Sequence, residues 1–358
     1  MVVRFDDSLS VFVEELARHV GASATNDAAI IRDGTGRLSA VLTSRVEEAN
    51  LSAASTAISK ILGGYARSDG LIRTADSYSG ERLLAEAENI SPILIGDHSI
   101  RFIDRRIVGA DWLVERKPTS QRALRLAFAS LKGGVGRSTA LCVVAAHLSL
   151  AGFRVLTIDL DLEAPGIGTM LVSDEEQPNF GVVDYLVENN LSGTDPEFLN
   201  DLVANSVLGS GGARVSVVPA FGRSTYDHPD QALSKLSRAY VEDIDQDGNA
   251  ASVGRQISEM VDLFDQDRSF DVILIDGRAG LHEISASIFL QLGAELLLFG
   301  TDQPQTYSGY RLLLSHLSKV APGDSGIMER IRFVHARSST MADELGRQKR
   351  VLRVCTIF

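Results

Sequence analysis

From residue 122 onward, short apolar runs alternate with segments of helical spacing, the pattern of βαβ units around a parallel sheet. The apolar runs fall at 126–129, 153–161, 214–218, 270–276, 294–300 and 331–335. Helices are predicted after the glycine turn at 132–139, over 183–190 and 255–264, and from Pro304 through His316. Residues 1–118 have a different rhythm. Leu9, Phe12, Val13, Leu16 and Val20 share one helical face over 8–20, with Ser8 as the candidate N-cap. A hairpin is predicted over 28–44, turning at Asp33-Gly34-Thr35-Gly36, and a second over 92–107, bending at Gly96-Asp97-His98. A helix over 55–65, closed by Gly63-Gly64, lies between them. The expectation is a smaller N-terminal α+β domain (1–118) followed by an α/β domain with a mostly parallel sheet (119–358). Trp112 is expected to pack at their junction, ahead of a polar linker at 115–121.

Composition narrows the class. The 358 residues are 44% hydrophobic and 23% charged, enough for about two domains of a soluble globular protein. A net charge of −12 gives no chain-wide electrostatic footprint for nucleic acid, although a local basic patch stays possible. The two cysteines, Cys142 and Cys355, lack C-x-x-C spacing, which excludes a disulfide framework and suits a reducing cytoplasm. No apolar run reaches the roughly 18 residues that span a bilayer, and the acidic N-terminus reads as no signal peptide. At the other end, residues 345–358 mix Arg347, Lys349, Arg350 and Arg353 with Val351, Leu352, Val354, Ile357 and Phe358. They read as a terminal strand, with a basic membrane-binding helix as the alternative.

The candidate chemistry sits where apolar runs stop. The run at 126–129 leads into Lys132-Gly133-Gly134-Val135-Gly136-Arg137-Ser138-Thr139, followed by helical spacing. Strand, glycine turn, helix is the context of a phosphate-binding loop: glycines turn backbone N–H groups onto an anion, and the helix adds its positive end. The run at 153–161 delivers Asp159 and Asp161, and the run at 270–276 delivers Asp276. In open parallel sheets, ligands bind at these C-terminal strand ends. An acid at Asp276 can hold Mg²⁺ through water while Ser138 ligates it directly. The acidic stretch Asp243, Asp245, Asp247, Gly248 lacks the twelfth-position Glu of a calcium loop, where Gly254 stands. In the N-terminal segment, His98 and Arg105-Arg106 either form a site or are exposed turn residues.

The loop departs from G-x-x-x-x-G-K-[ST]: Leu131 replaces the first glycine, and Arg137 the lysine. Lys132-Gly-Gly-Val-Gly-Arg-Ser-Thr resembles the deviant-Walker P-loop ATPases of the ParA/MinD family, with Arg in place of the P-loop Lys. The resemblance spans about 122–335 and extends to Asp159-x-Asp161 with Pro165-Gly166, to Asp276 as a Walker B acid, and to Thr301-x-x-Pro304 before a helix. It departs at Arg278, where the family has proline, and at His335, where it usually carries an adenine-reading Asn; Arg278 reads as solvated or paired with a carboxylate, with contact to phosphate as the alternative. A guanine-reading Asn-Lys-x-Asp is absent.

The resemblance implies ATP and Mg²⁺ as cofactors and phosphoryl transfer to water. Gly133, Gly134, Val135, Gly136, Arg137, Ser138 and Thr139 would cradle phosphate, and His335 would stand at the base. Ser138, Asp159 and Asp276 would serve the metal, and Asp161 would place the attacking water. Lys132 would act in trans across a homodimer. Arginine at 137 is wider than lysine and always charged, so slow hydrolysis is expected. Three readings follow. The first is a dimerising ATP switch that signals to a protein partner. The second is a hydrolysis-deficient scaffold acting through residues 1–118, and the third is nonspecific DNA binding.

Overall fold

The computed structural model describes residues 3–77, 79–106, 109–192, 196–206, 208, 214–244, 250–266, 269–321 and 326–336. The chain divides into two compact units, Met1–Val108 and Gly109–Phe358.

The first unit contains helix α1 (Phe5–Val20), strands β1 (Ala29–Arg32) and β2 (Leu38–Leu42), helix α2 (Glu48–Leu62), strand β3 (Ile72–Thr74), helix α3 (Gly80–Glu88) and strands β4 (Ile93–Ile95) and β5 (His98–Asp104). The strands form one sheet in the order β3-β2-β1-β5-β4. Both predicted hairpins are present: β1 and β2 pair antiparallel, as do β4 and β5. Asp33 Oδ1 accepts the backbone N–H groups of Thr35 and Arg37 at 2.9 and 3.0 Å, which fixes the first turn as an Asx turn. Phe12, Val13 and Leu16 of α1 are buried in one cluster with Ile30, Leu38 and Ile100 of the sheet.

Two helix boundaries differ from expectation. α1 starts at Phe5, so Ser8 is an interior residue and not the N-cap. Asp6 and Asp7 in the first turn suit the positive helix end, which favours the earlier start. Ser8 Oγ donates to Phe5 O at 2.7 Å and accepts from the buried Arg32 Nη2 at 3.0 Å. The second helix occupies 48–62, earlier than the predicted 55–65, and stops where Gly63 takes a φ of +53°.

The second unit runs β6 (Leu124–Ser130), α4 (Arg137–Leu150), β7 (Val155–Asp159), α5 (Val182–Ser192), β8 (Ala204–Asn205), β9 (Val215–Val218), α6 (Val253–Gln266), β10 (Val272–Ala279), α7 (Glu283–Leu290), β11 (Glu295–Gly300), α8 (Pro304–Val320) and β12 (Ile331–His335), with shorter helices between. Seven strands lie in the order β12-β11-β6-β10-β7-β9-β8, all parallel except β8 against β9. This is the mostly parallel α/β architecture that the alternation predicts.

Alternate residues of each central strand serve opposite cores. Ala127, Ala129, Ile273 and Ile275 join the cluster that includes Met260, Ile288 and Leu313 of α6, α7 and α8. Phe128, Val272 and Leu274 join the cluster with Leu141 and Ala145 of α4. A sheet covered on both faces produces the continuous apolar runs seen in the sequence.

The polar stretch 115–121 is not a free linker. Thr119 donates its backbone N–H and hydroxyl to Asp262 Oδ2 at 2.8 and 2.6 Å, and Arg116 N donates to Leu290 O at 3.0 Å. Trp112 packs inside the second unit, stacked on Phe289 with ring centroids 5.9 Å apart, while its carbonyl meets His316 Nε2 at 2.7 Å. Asp245, Asp247 and Gly248 of the acidic stretch, Cys355, and the terminal strand or helix expected at 345–358 lie outside the described residues.

Candidate nucleotide-binding site

β6 ends at Ser130, and the chain turns through 131–136 before α4 begins at Arg137. Gly134 and Gly136 have φ values of +70° and +88°, a region that a side chain disfavours. Buried Val135 anchors the turn in the α4 core. Gly133 has an ordinary backbone, and a Cβ built on it meets nothing within 4 Å. Neither strain nor packing therefore requires glycine there, whereas an approaching phosphate would. α4 lacks a side-chain N-cap, so its first-turn N–H groups are left for an anion.

The carboxylates converge beside this turn because β6, β10 and β7 are neighbours. Asp276 is paired in register with Asp159 on one side and Phe128 on the other. Ser138 Oγ, one residue into α4, donates to Asp276 Oδ2 at 2.6 Å. Asp276 Oδ1 is buried without a hydrogen-bond partner. Burial lifts the Asp276 carboxyl to about 6, against the opposing pull of Ser138 and Arg137. Asp159 is raised further, to about 8, by burial and then by Asp276. Its Oδ1 accepts Asp161 N at 3.0 Å, and its Oδ2 accepts Gly166 N and Ile167 N at 3.0 and 3.2 Å. Asp159 thus pins the turn after β7 through backbone amides.

Arg137 turns inward. Its Nη2 lies 3.3 Å from Asp161 Oδ2, with both side chains largely buried, and its Nη1 is buried without a partner. Burial raises the Asp161 carboxyl above its usual range, Arg137 opposes this, and Glu163 adds to it. Arg278 bonds Glu163 Oε1, to which Tyr240 also donates its hydroxyl proton; His282 Nε2 lies 4.0 Å away. Of the readings open for Arg278 in the sequence, the structure gives the carboxylate pair; which carboxylate, and the joining of Tyr240, were not legible, because 115 and 77 residues separate Glu163 from Arg278 and Tyr240.

Ser138, Asp276, Asp159, Arg137 and Asp161 therefore meet at one place. Lys132 and Thr139 are exposed at its rim, with Lys132 Nζ donating to Gln303 Oε1 at 3.0 Å. His335 is exposed at the end of β12, opposite Gly300 of β11 and thus two strands from β6.

An all-oxygen donor set with one orphaned carboxylate oxygen suits a hard divalent cation. Among the described residues, no cluster of three or more His, Cys, Asp or Glu forms a self-contained metal cage. Ser138 and Asp276 fit a Mg²⁺ that completes its shell with phosphate and water.

Residues 123–193 match the family model described as ParA: NUBPL iron-transfer P-loop NTPase. No curated protein matches the chain. Among solved structures, the Borrelia burgdorferi plasmid partition protein is similar at 17% identity and TM-score 0.39, over 65% of this chain and 86% of that one. The cell division ATPase MinD of Pyrococcus furiosus is similar at 22% identity and TM-score 0.43, over 64% and 80%. Cobyrinic acid a,c-diamide synthase of Mycobacterium smegmatis, solved with an ATP analog and magnesium, is similar at 19% and TM-score 0.44, over 66% and 83%. The segment from β6 through α5 is thus similar to ParA-type P-loop NTPases and is set in an α/β unit with a mostly parallel sheet.

Proposed function

We propose that the second unit is an ATP-binding molecular switch with slow Mg²⁺-dependent hydrolysis, which dimerises on nucleotide and passes its state to a protein partner. The observation that carries this reading is the bond from half-buried Ser138 to buried Asp276 beside a left-handed glycine turn. Backbone N–H groups of Gly134, Gly136 and Arg137 cradle the β-phosphate, and Gly133, Val135 and Thr139 complete the turn. Ser138 and Asp276 hold Mg²⁺, while Asp159 keeps the turn after β7 in place. When bound, the cation supplies positive charge against the phosphate oxygens. Lys132 gives up Gln303 and reaches the partner's nucleotide in a homodimer.

Arg137 and Asp161 govern turnover. Paired with each other, neither serves phosphate or water. A triphosphate offers Arg137 a stronger, bidentate partner, which releases Asp161 to orient water. The cost of separating the pair, and the width of a guanidinium against the γ-phosphate, slow the reaction. The same pair favours the second reading, a hydrolysis-deficient scaffold that binds nucleotide and acts through the first unit.

Light scattering after size exclusion, with Mg²⁺ and either no nucleotide, ADP, ATP or a non-hydrolysable analogue, tests the proposal alongside phosphate release. A dimer only with ATP or analogue, with slow release lost in Asp161→Ala, supports the switch. An unchanged mass without phosphate release refutes it and favours the scaffold.

A further inference from the structure

The first unit holds a cavity of about 270 Å³ whose wall includes Arg67, Arg73, Arg82 and Arg105. We propose that this cavity binds a small molecule through a phosphomonoester or diphosphate group. The four arginines come from four places in the chain: the turn after α2, strand β3, the first turn of α3, and the end of β5. Only the tertiary fold brings them to one hollow. A merely solvated basic face would leave its charges spread apart.

The counter-charge is incomplete. Arg105 pairs with Glu86 at 2.6 Å. Arg73 spends its Nε on Gly70 O and its Nη1 on Ser79 Oγ, both at 3.1 Å, so its guanidinium is fixed by neutral groups. Arg67 and Arg82 have no ion pair among the described residues. Burial, then repulsion from Arg67 and Arg105, holds the Arg73 guanidinium below its usual range, although Asp69 opposes. Like charges held this close cost stability in the absence of a ligand.

The surrounding backbone adds to the same field. Ser79 and Arg82, from the start of α3, both line the cavity, so the positive end of a nine-residue helix lies at its wall. Ser79 takes a left-handed φ of +67°, and a Cβ on Gly80 would stand 2.3 Å from Thr74 O. The helix start is therefore wedged against the end of β3, which carries Arg73. Buried Ile31 and Leu83 form an apolar part of the lining.

These features select the ligand class. Forked guanidinium donors match the oxygens of phosphate, and a doubly charged phosphate meets the excess charge better than a single carboxylate. The volume lies at the lower edge of small-molecule pockets, about 300 Å³ upward, which suits a compact phosphorylated ligand and not a duplex groove.

The test is calorimetry with pyrophosphate as the probe on the full chain carrying Ser138→Ala and Arg137→Ala, which weaken the glycine-turn site. Arg67→Ala with Arg82→Ala is then added; among the described residues neither side chain has an ion pair to lose, and a melting midpoint no lower than the parent's checks the fold. Pyrophosphate binding that weakens about tenfold or more, the scale of even one lost charge-assisted hydrogen bond, supports the proposal. The single reversal Arg82→Glu is expected to act in the same direction. Affinity unchanged by these substitutions overturns it. So does equal affinity for acetate, or equally tight, arginine-dependent binding of an oligonucleotide without terminal phosphate, which would assign the surface to a nucleic-acid backbone.

Discussion

Arg137 Nη2 lies 3.3 Å from Asp161 Oδ2 in a largely buried ion pair that joins the first residue of α4 to the turn after β7. The residue that departs from the usual phosphate-loop lysine is thus bonded to the carboxylate proposed to direct water. Arg137→Lys supplies a compact charge that reaches phosphate without the guanidinium's width. Steady-state phosphate release is expected to rise by about tenfold, within the span that a misplacement of about 1 Å can cost. A fall in turnover would show that the guanidinium itself is required.

The buried carboxylates make the metal-free protein sensitive to pH. Asp276 and Asp159 are raised to about 6 and about 8, so the folded chain retains protons that the unfolded chain releases at the ordinary carboxylate value. Their stabilisation is complete below that ordinary value and is lost as pH rises through the two folded values. Carboxylates shifted the other way, such as Asp271 at about 2, finish titrating below this window. The thermal midpoint without metal is expected to fall between about pH 5 and about pH 8.5, and Asp276→Asn is expected to flatten the fall. Measurement at matched ionic strength checks it; a midpoint that rises across the window contradicts the assignment.

A second buried network holds β6 in place. Arg125 Nη2 bonds Asp262 Oδ1 at 2.8 Å and Asp265 Oδ2 at 3.0 Å, and Asp265 Oδ1 also accepts Ala123 N at 2.6 Å. Asp265→Ala leaves Arg125 with Asp262 as its carboxylate partner but takes the acceptor from the Arg122 and Ala123 amides. A loss of about 2–4 kcal/mol in denaturant unfolding is expected, the scale of donors left unsatisfied in the interior. A loss as small as that of an exposed pair would contradict this reading.

The glycine turn and the strand-end acids were legible because each is a local signal. An apolar run stops at Lys132-Gly133-Gly134, and others stop at Asp159-x-Asp161 and Asp276. What depends on distant partners was not. Arg125 lies 137 and 140 residues from its two aspartates, so the stretch at 115–121 read as a linker when those acids in fact tie it down. Ser8 read as a cap because its residue type favours caps, whereas its hydroxyl serves Phe5 O and Arg32. Arg105, read as either a site or an exposed turn residue, lines a cavity that only the fold assembles.

Ser138 offers the most direct test of the central claim. Its hydroxyl bonds Asp276 at 2.6 Å and is the proposed metal ligand. ATP titrated into the purified full chain, with and without Mg²⁺, in wild type and Ser138→Ala, is the measurement. Saturable binding that tightens with Mg²⁺ in the wild type, with the Mg²⁺ effect lost in the variant, is the predicted result. No binding into the millimolar range, or binding equally strong in both proteins and indifferent to Mg²⁺, would contradict the account.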